Sequence, residues 1–249
     1  MKLMVCTAAL AILATASGAG ADAQSPRDAN PERPTFATHA YAVAPGYAEL
    51  EQGLAARGTG SLGEETSWDV NLKLGIERHV QAAIFGPLFQ RNPRGHGVGD
   101  FGVALKLRSD LSARSAAAIV ASVPAPTGST ARGLGTGRAL GGLVGVFSAD
   151  LPAQIHVDAN AGPEGIGAGN PQWFASVCAS RAFGAWGLAA EAFRFSARGT
   201  GPRQAGVLAA VTLRPARWVV LDAGGVAPAT PGTARQLFLG LTSNLGRVF

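Results

Sequence analysis

The last fourteen residues, Gln236-Leu237-Phe238-Leu239-Gly240-Leu241-Thr242-Ser243-Asn244-Leu245-Gly246-Arg247-Val248-Phe249, decide the fold. Leu237, Leu239, Leu241, Leu245 and Phe249 fall on one side of an extended chain, and Gly240, Thr242, Asn244 and Gly246 on the other. Successive side chains of a strand point to opposite faces, so this is a strand with one apolar and one polar side. A strand of this kind that ends on an aromatic residue is how bacterial outer-membrane barrels commonly finish, which makes Phe249 the candidate insertion signal. Ser243 and Arg247 interrupt the apolar side, so Leu241, Leu245 and Phe249 carry most of that signal.

The rest of the composition agrees with a barrel. Charged residues make up 15% of the chain, against about 25% in ordinary soluble domains. Glycine is abundant, at 34 of 249 residues. Beyond the amino terminus no apolar run reaches the roughly 18 residues that a membrane helix needs. A closed β-barrel reconciles these facts, because it satisfies every backbone polar group internally while spreading its hydrophobicity over alternate residues. A secreted β-sandwich also alternates, but normally carries more surface charge.

Residues 1–23 read as a signal peptide. Lys2 supplies the positive start, residues 3–16 the apolar stretch, and Ala21-Asp22-Ala23 the small-residue cleavage site. Cleavage there removes Cys6 and leaves Cys178 as the sole cysteine, which excludes an intrachain disulfide. Residues 24–45 are polar and contain Pro26, Pro31, Pro34 and Pro45, with no sustained period; they are expected to form a periplasmic lead-in.

From residue 46 to 249 the pattern predicts an all-β, up-and-down antiparallel transmembrane barrel of about 12 strands. Strands are expected to begin near Tyr47, Ser67, Val80, Gly99, Ser115, Gly137, Gln154, Gln172, Trp186, Gln204, Trp218 and Gln236. The connections alternate strictly. Those at 57–66, 90–98, 124–136, 162–171, 197–203 and 228–235 are long and Gly-rich, whereas those at 77–79, 109–114, 149–152, 181–185 and 214–217 are short. Long extracellular loops opposite short periplasmic turns are the hallmark of such barrels. All four tryptophans (Trp68, Trp173, Trp186, Trp218) start strands, where an aromatic girdle sits, although Trp218 shares parity with the polar Asp222.

Within strands the polar residues alternate with the apolar ones. Trp68, Val70, Leu72 and Leu74 oppose Asp69, Asn71 and Lys73, and Phe101, Val103, Leu105 and Leu107 oppose Asp100, Lys106 and Arg108. A Lys or Arg exposed at the bilayer midplane costs about 2–4 kcal/mol, so the polar set is assigned to the lumen. The candidate lumen-lining residues are Glu49, Glu51, Asp69, Lys73, Asp100, Lys106, Arg108, His156, Asp158, Glu191 and Asp222. They could sort solutes by charge or simply pair across strands and fill the barrel. Eight-stranded barrels are filled by their own side chains and those of sixteen or more hold water, so twelve strands leave the lumen undetermined.

Four segments in order resemble one bacterial outer-membrane barrel family. They are Arg33-Pro34-Thr35-Phe36 followed by Pro45-Gly46-Tyr47-Ala48-Glu49-Leu50-Glu51; Gly97-Val98-Gly99-Asp100 leading to Lys106; Pro124-Ala125-Pro126-Thr127-Gly128; and Leu221-Asp222 with the closing strand. The family is labelled a transporter of the MetA pathway of phenol degradation. The resemblance implies uptake of aromatic compounds and extends from about residue 33 to the end. Ser243 and Arg247 depart from the apolar residues expected on its last strand.

Catalytic and metal motifs do not emerge. Twelve-stranded outer-membrane lipases need an outward histidine beside an activated hydroxyl, whereas His156 alternates with Ile155 and Val157 and shares the side of Asp158 and Asn160. Residues 133–137, Gly-Leu-Gly-Thr-Gly, precede a strand and so cannot cradle a phosphate at a helix start. No Cys/His set has metal-ligand spacing. No cofactor and no enzyme activity are expected. The net charge of +5 would suggest nucleic acid in a cytosolic protein, which the export signal argues against. Loop arginines Arg57, Arg91, Arg94, Arg132, Arg198, Arg203 and Arg235 instead suit lipopolysaccharide phosphates or anionic solutes.

The expected protein is an outer-membrane channel passing small aromatic or hydrophobic solutes. It would be inserted by the barrel-assembly machinery and surrounded by outer-membrane lipid and lipopolysaccharide. A closed-lumen structural or surface-interaction barrel is the alternative, and an outer-membrane lipid enzyme a third.

Overall fold

The computed structural model describes residues 25–61, 63–197 and 203–249; the segment 1–23 expected to be a signal peptide and Arg198 lie outside the described residues. The strands are β1 (Tyr47–Gly58), β2 (Glu65–Glu77), β3 (Val80–Asn92), β4 (Gly95–Gly97), β5 (Gly102–Ser112), β6 (Ser115–Pro124) and β7 (Gly141–Leu151). There follow β8 (Ile155–Ile166), β9 (Gln172–Phe183), β10 (Trp186–Phe195), β11 (Gln204–Ala216), β12 (Val219–Pro228) and β13 (Arg235–Arg247). All pairings are antiparallel, and β1 pairs with β13, so the sheet closes on itself. The three-residue β4 only extends the β3 hairpin, which leaves a wall of 12 strands. Closure removes the unpaired edges that lipid would not tolerate.

Strand positions follow the predicted pattern with two displacements. The fourth wall strand begins at Gly102 rather than near Gly99, and the sixth at Gly141 rather than near Gly137. In both places the backbone is claimed by the loop. The Gly99 N–H donates to Pro87 O at 3.2 Å, and the Thr136 hydroxyl donates to Arg138 O at 2.9 Å. Pro87 has no N–H to give to a ladder, and the β2–β3 register shifts between Trp68 and Asp69 beside it.

Lipid-side positions carry the exposed apolar residues, among them Leu54, Ile84, Val103, Leu107, Val177, Leu188, Leu239 and Leu245. All four tryptophans, Trp68, Trp173, Trp186 and Trp218, are also exposed, at strand ends. Trp218 keeps the parity of the buried Asp222, and the Arg27 guanidinium stands over its ring, 5.8 Å from the centroid.

The amino-terminal stretch departs from the expected lead-in. Residues 25–45 run inside the barrel instead of beneath it. The chain enters at the turn end, where the Ala29 N–H donates to Arg217 O at 2.8 Å. It rises until Phe36 meets Phe193, with ring centroids 4.5 Å apart, then descends to Gly46, whose N–H donates to Gly75 O at 2.8 Å. With its prolines and no alternation the segment could not join the sheet, yet it could fit an interior lined with hydrogen-bonding side chains. Small residues make room for it. A Cβ on Gly75 would lie 2.1 Å from Ala44 O, and one on Gly53 only 2.3 Å from an Arg33 guanidinium nitrogen.

Gly75→Val should therefore loosen the descending arm at about 1–3 kcal/mol of overpacking cost. In a Cys178→Ser background, a cysteine introduced by Thr38→Cys should react with a maleimide faster once Gly75→Val is added. An unchanged rate would mean that the contact is not what seats the segment.

Candidate functional site

The inner wall has two tiers. Toward the turn end it is polar. Glu49 and Glu51 on β1 flank Lys73 on β2, because the register sets Glu49 opposite Lys73 and the pleat sends both side chains inward. Lys73 Nζ lies 2.6 Å from Glu49 and 2.7 Å from Glu51, and all three are buried. On β5, Lys106 pairs with Glu32 of the inner segment, and on β12, Asp222 pairs with Arg33 at 3.2 Å.

These wall groups serve the segment's backbone. Glu49 accepts from the Asn30 N–H at 2.6 Å, and Glu51 from the Glu32 N–H at 2.6 Å. The two oxygens of Glu191 accept from the N–H groups of Phe36 and Ala37, at 2.8 and 2.7 Å. Asn160 both accepts from the Thr38 N–H and donates to its carbonyl, while Ser148 and Gln81 accept from the N–H groups of Ala40 and Val43. Donors take the carbonyls. Lys73 donates to Asn30 O, Lys106 to His39 O and Tyr41 O, and Asn244 to Pro26 O and Asp28 O. A buried peptide group left unpaired costs about 1–3 kcal/mol, so this matching is what permits an irregular chain inside the wall.

Across β9 to β13 the loop-end tier is apolar. Phe174, Phe193, Leu208, Val226 and Phe238, with Ala55 and Ala210, form one buried cluster, and Val144 and Phe195 pack against it. Phe174 and Phe195 stack at 4.8 Å between centroids. These residues project inward from β1, β9, β10, β11, β12 and β13 on the same sides as polar residues lower down: Phe193 follows Glu191, and Phe238 precedes Gly240 and Thr242.

The predicted lumen residues distribute unevenly. Glu49, Glu51, Lys73, Lys106, Asp158, Glu191 and Asp222 are buried inside the wall. Arg108 lies inside near the turn end, bonded to Asp110 and stacked over Tyr41 at 4.7 Å. Asp69 sits toward the loop end, where it binds Ser67 at 2.7 Å and Arg57 at 3.4 Å. Asp100 is on no strand. It stands in the 98–101 break and accepts from the N–H of Gly128 at 2.9 Å and from the N–H and hydroxyl of Thr136 at 2.7 and 2.8 Å. Next to it, Pro87, Gln90 and residues 133–136 bound a cleft of about 340 Å³. Partial burial opposes the Asp100 charge, but the Thr136 and Gly128 donors outweigh this and hold the carboxyl below its ordinary value.

His156 is held between two carboxylates, Nδ1 at 2.6 Å from Asp150 and Nε2 at 3.1 Å from Asp158. Ser148 donates to Asp158 and not to the imidazole, so His156 is not placed to activate the hydroxyl. Cys178 is buried on the inner side of β9. Among the described residues no group of three or more His, Cys, Asp or Glu is arranged to hold a metal ion. Sequence alone did not single out Glu32 or the phenylalanine tier, and it marked Arg33 and Phe36 only within the family resemblance, not as lumen groups. Its one available trace was the run of apolar residues on both sides of the loop-end halves, as in Val207-Leu208.

No protein-family model matches the chain, and no curated protein matches it by sequence. Solved structures do share the fold. An outer membrane channel of Pseudomonas putida F1 superposes with a TM-score of 0.62 at 14% identity, over 83% of this chain and 98% of that one. The NanC porin gives 0.59 at 7% identity, over 79% and 100%. The KdgM porin in complex with disordered oligogalacturonate gives 0.56 at 5%, over 78% and 98%. The chain thus has the twelve-stranded porin-type barrel fold.

Lys73→Met should strand two buried carboxylates together and lower stability by about 3–5 kcal/mol, read as a drop in the urea unfolding midpoint in detergent micelles. Adding Glu49→Gln and Glu51→Gln should recover much of that loss; no recovery would mean that Lys73 acts by packing. At the loop end, Asp100→Ala should abolish amide-exchange protection at Gly128 and Thr136. Because the Asp100 pKa is depressed in the folded protein, its clamp is fully present above the ordinary carboxylate pKa of about 3.9. It is lost only as pH falls through the lower folded value. In the wild type, protection that disappears well above pH 4 would contradict this assignment.

Proposed function

We propose that the protein is an outer-membrane channel for small aromatic or hydrophobic solutes, exported by its cleaved amino terminus and inserted by the barrel-assembly machinery through Phe249. The observation that carries this reading is the apolar upper tier, with Phe174, Phe193, Phe195 and Phe238 turned into the barrel. A lumen built only to pass ions or sugars has no use for a phenylalanine cluster, whereas an apolar solute leaving water gains about 25 cal/mol for each Å² it buries there. The family resemblance around Arg33-Pro34-Thr35-Phe36 and Gly97-Val98-Gly99-Asp100 points to the same solute class. The likeness to outer-membrane channels and porins supports the membrane and the channel, and their low identity leaves the solute to the lumen's own chemistry. His156 on the inner side, with no serine it could activate, speaks against a lipid enzyme.

A closed structural barrel is the second reading, favoured by the segment 25–45 that occupies the polar tier. In the channel reading this segment is the part that yields, since it is held by side chains and not by a ladder. Full-length protein in a planar bilayer should conduct weakly, and removal of residues 25–41 should raise conductance severalfold. Uptake of a small aromatic solute into proteoliposomes should exceed that of a sugar of equal size. An inserted barrel that passes neither solute, even without the segment, would establish the closed reading instead.

A further inference from the structure

The outer wall carries an arginine cluster that neither the lumen nor the loops use. On β10 the outward residues are Trp186, Leu188, Ala190, Ala192 and Arg194, because Glu191 and Phe193 between them are buried. Arg194 is therefore exposed on the lipid side, one residue below the loop end of its strand. The register sets it opposite Ala175 of β9 and Ala205 of β11. Two residues beyond these, with the same parity, stand Trp173 and Arg203, both exposed. On β13, Arg235 begins the outward series Leu237, Leu239, again at the loop end and exposed. Cross-strand neighbours on one face lie about 5 Å apart and diagonal ones about 7–8 Å, which brings Arg194, Arg203 and Trp173 within reach of one ligand.

No carboxylate answers these charges. Among the described residues none of Arg194, Arg203 and Arg235 takes part in an ion pair, and the outward positions of β9 to β13 hold no Asp or Glu. Glu191, the acid nearest to Arg194 in sequence, is buried on the inner side, and Glu164 pairs in register with Gln172, which is also buried on the inner side. The outward loop-end positions of β5 to β7 are Val103, Val123 and Leu143, all apolar, and beyond them β3 carries a single exposed arginine, Arg91, opposite Thr66.

We infer that this sector, β9 to β13 at the loop end, binds the phosphate groups of a phosphorylated glycolipid in the surrounding leaflet. The inference rests on the outer-membrane reading above. An arginine on the lipid side is tolerated only near the interface, and there its planar fork meets phosphate in paired charge-assisted bonds. Trp173 supplies the amphipathic ring that sits at headgroup level. A free anion would not need the site on the lipid-facing wall; a lipid-borne phosphate would.

The test uses full-length protein folded in detergent micelles, with folding checked by its shifted gel mobility, and bis-phosphorylated or dephosphorylated lipid A as the probe. Native mass spectrometry should show at least about tenfold tighter retention of the phosphorylated form, equivalent to about 1.4 kcal/mol. The triple change Arg194→Gln, Arg203→Gln, Arg235→Gln should erase that preference. Arg181→Gln, an outward arginine at the turn end, should preserve it. Equal retention of both lipids, an unaltered triple variant, or displacement by millimolar inorganic phosphate alone would each overturn the inference. None of these outcomes bears on conductance, so the channel reading stands or falls separately.

Discussion

An irregular chain inside a closed wall has no neighbour to complete its hydrogen bonds, and the arrangement of this barrel's interior follows from that demand. Residues 30–43 carry peptide groups into a space that Lys73, Glu49 and Glu191 already exclude from water. Each must be met by a side chain of the right kind. Carboxylates, two amides and a hydroxyl face the N–H groups, while two lysines and two asparagines face the carbonyls. Charges that look like pore lining are, in this conformation, the receptors of the protein's own backbone.

The same demand explains why the buried ions are grouped. Glu49 and Glu51 share Lys73 and each also takes a peptide N–H, whereas Glu191, in no ion pair among the described residues, takes two peptide N–H groups, those of Phe36 and Ala37. Above the apex of the segment the requirement ends, because no backbone remains to be satisfied. There the wall turns to phenylalanine, leucine and valine, and Phe36 is the segment's single large apolar contribution to that tier. Across β9 to β13 the polarity of the lumen therefore changes along the barrel axis, while β1 and β2 keep Arg57, Ser67 and Asp69 at the loop end.

The outer face obeys a simpler rule. Lipid asks only for apolar side chains over its thickness and tolerates charge at its borders. Period-two patterning expresses that rule directly, which is why the strands, their number and the long-short alternation of connections were legible residue by residue. Where the reading slipped, at the starts of β5 and β7, a loop had taken backbone groups from the ladder through Asp100, Thr136 and Gly99. Asp100 was grouped with the lumen because its parity matched Lys106, and parity has no meaning where the strand is interrupted.

Local alternation, composition and the spacing of turns thus carried the barrel, its closing strand and the inward direction of Glu49, Lys73, Lys106, Asp158, Glu191 and Asp222, because each is a property of neighbours along the chain. What fills the lumen was not of that kind. The pairings of Arg33 with Asp222 and of Phe36 with Phe193 join residues more than 150 positions apart. Nothing in a polar, proline-bearing stretch says whether it hangs free or folds inward. That outcome depended on wall side chains gathered from nearly every strand, and only closure of the barrel brings them to the same small space.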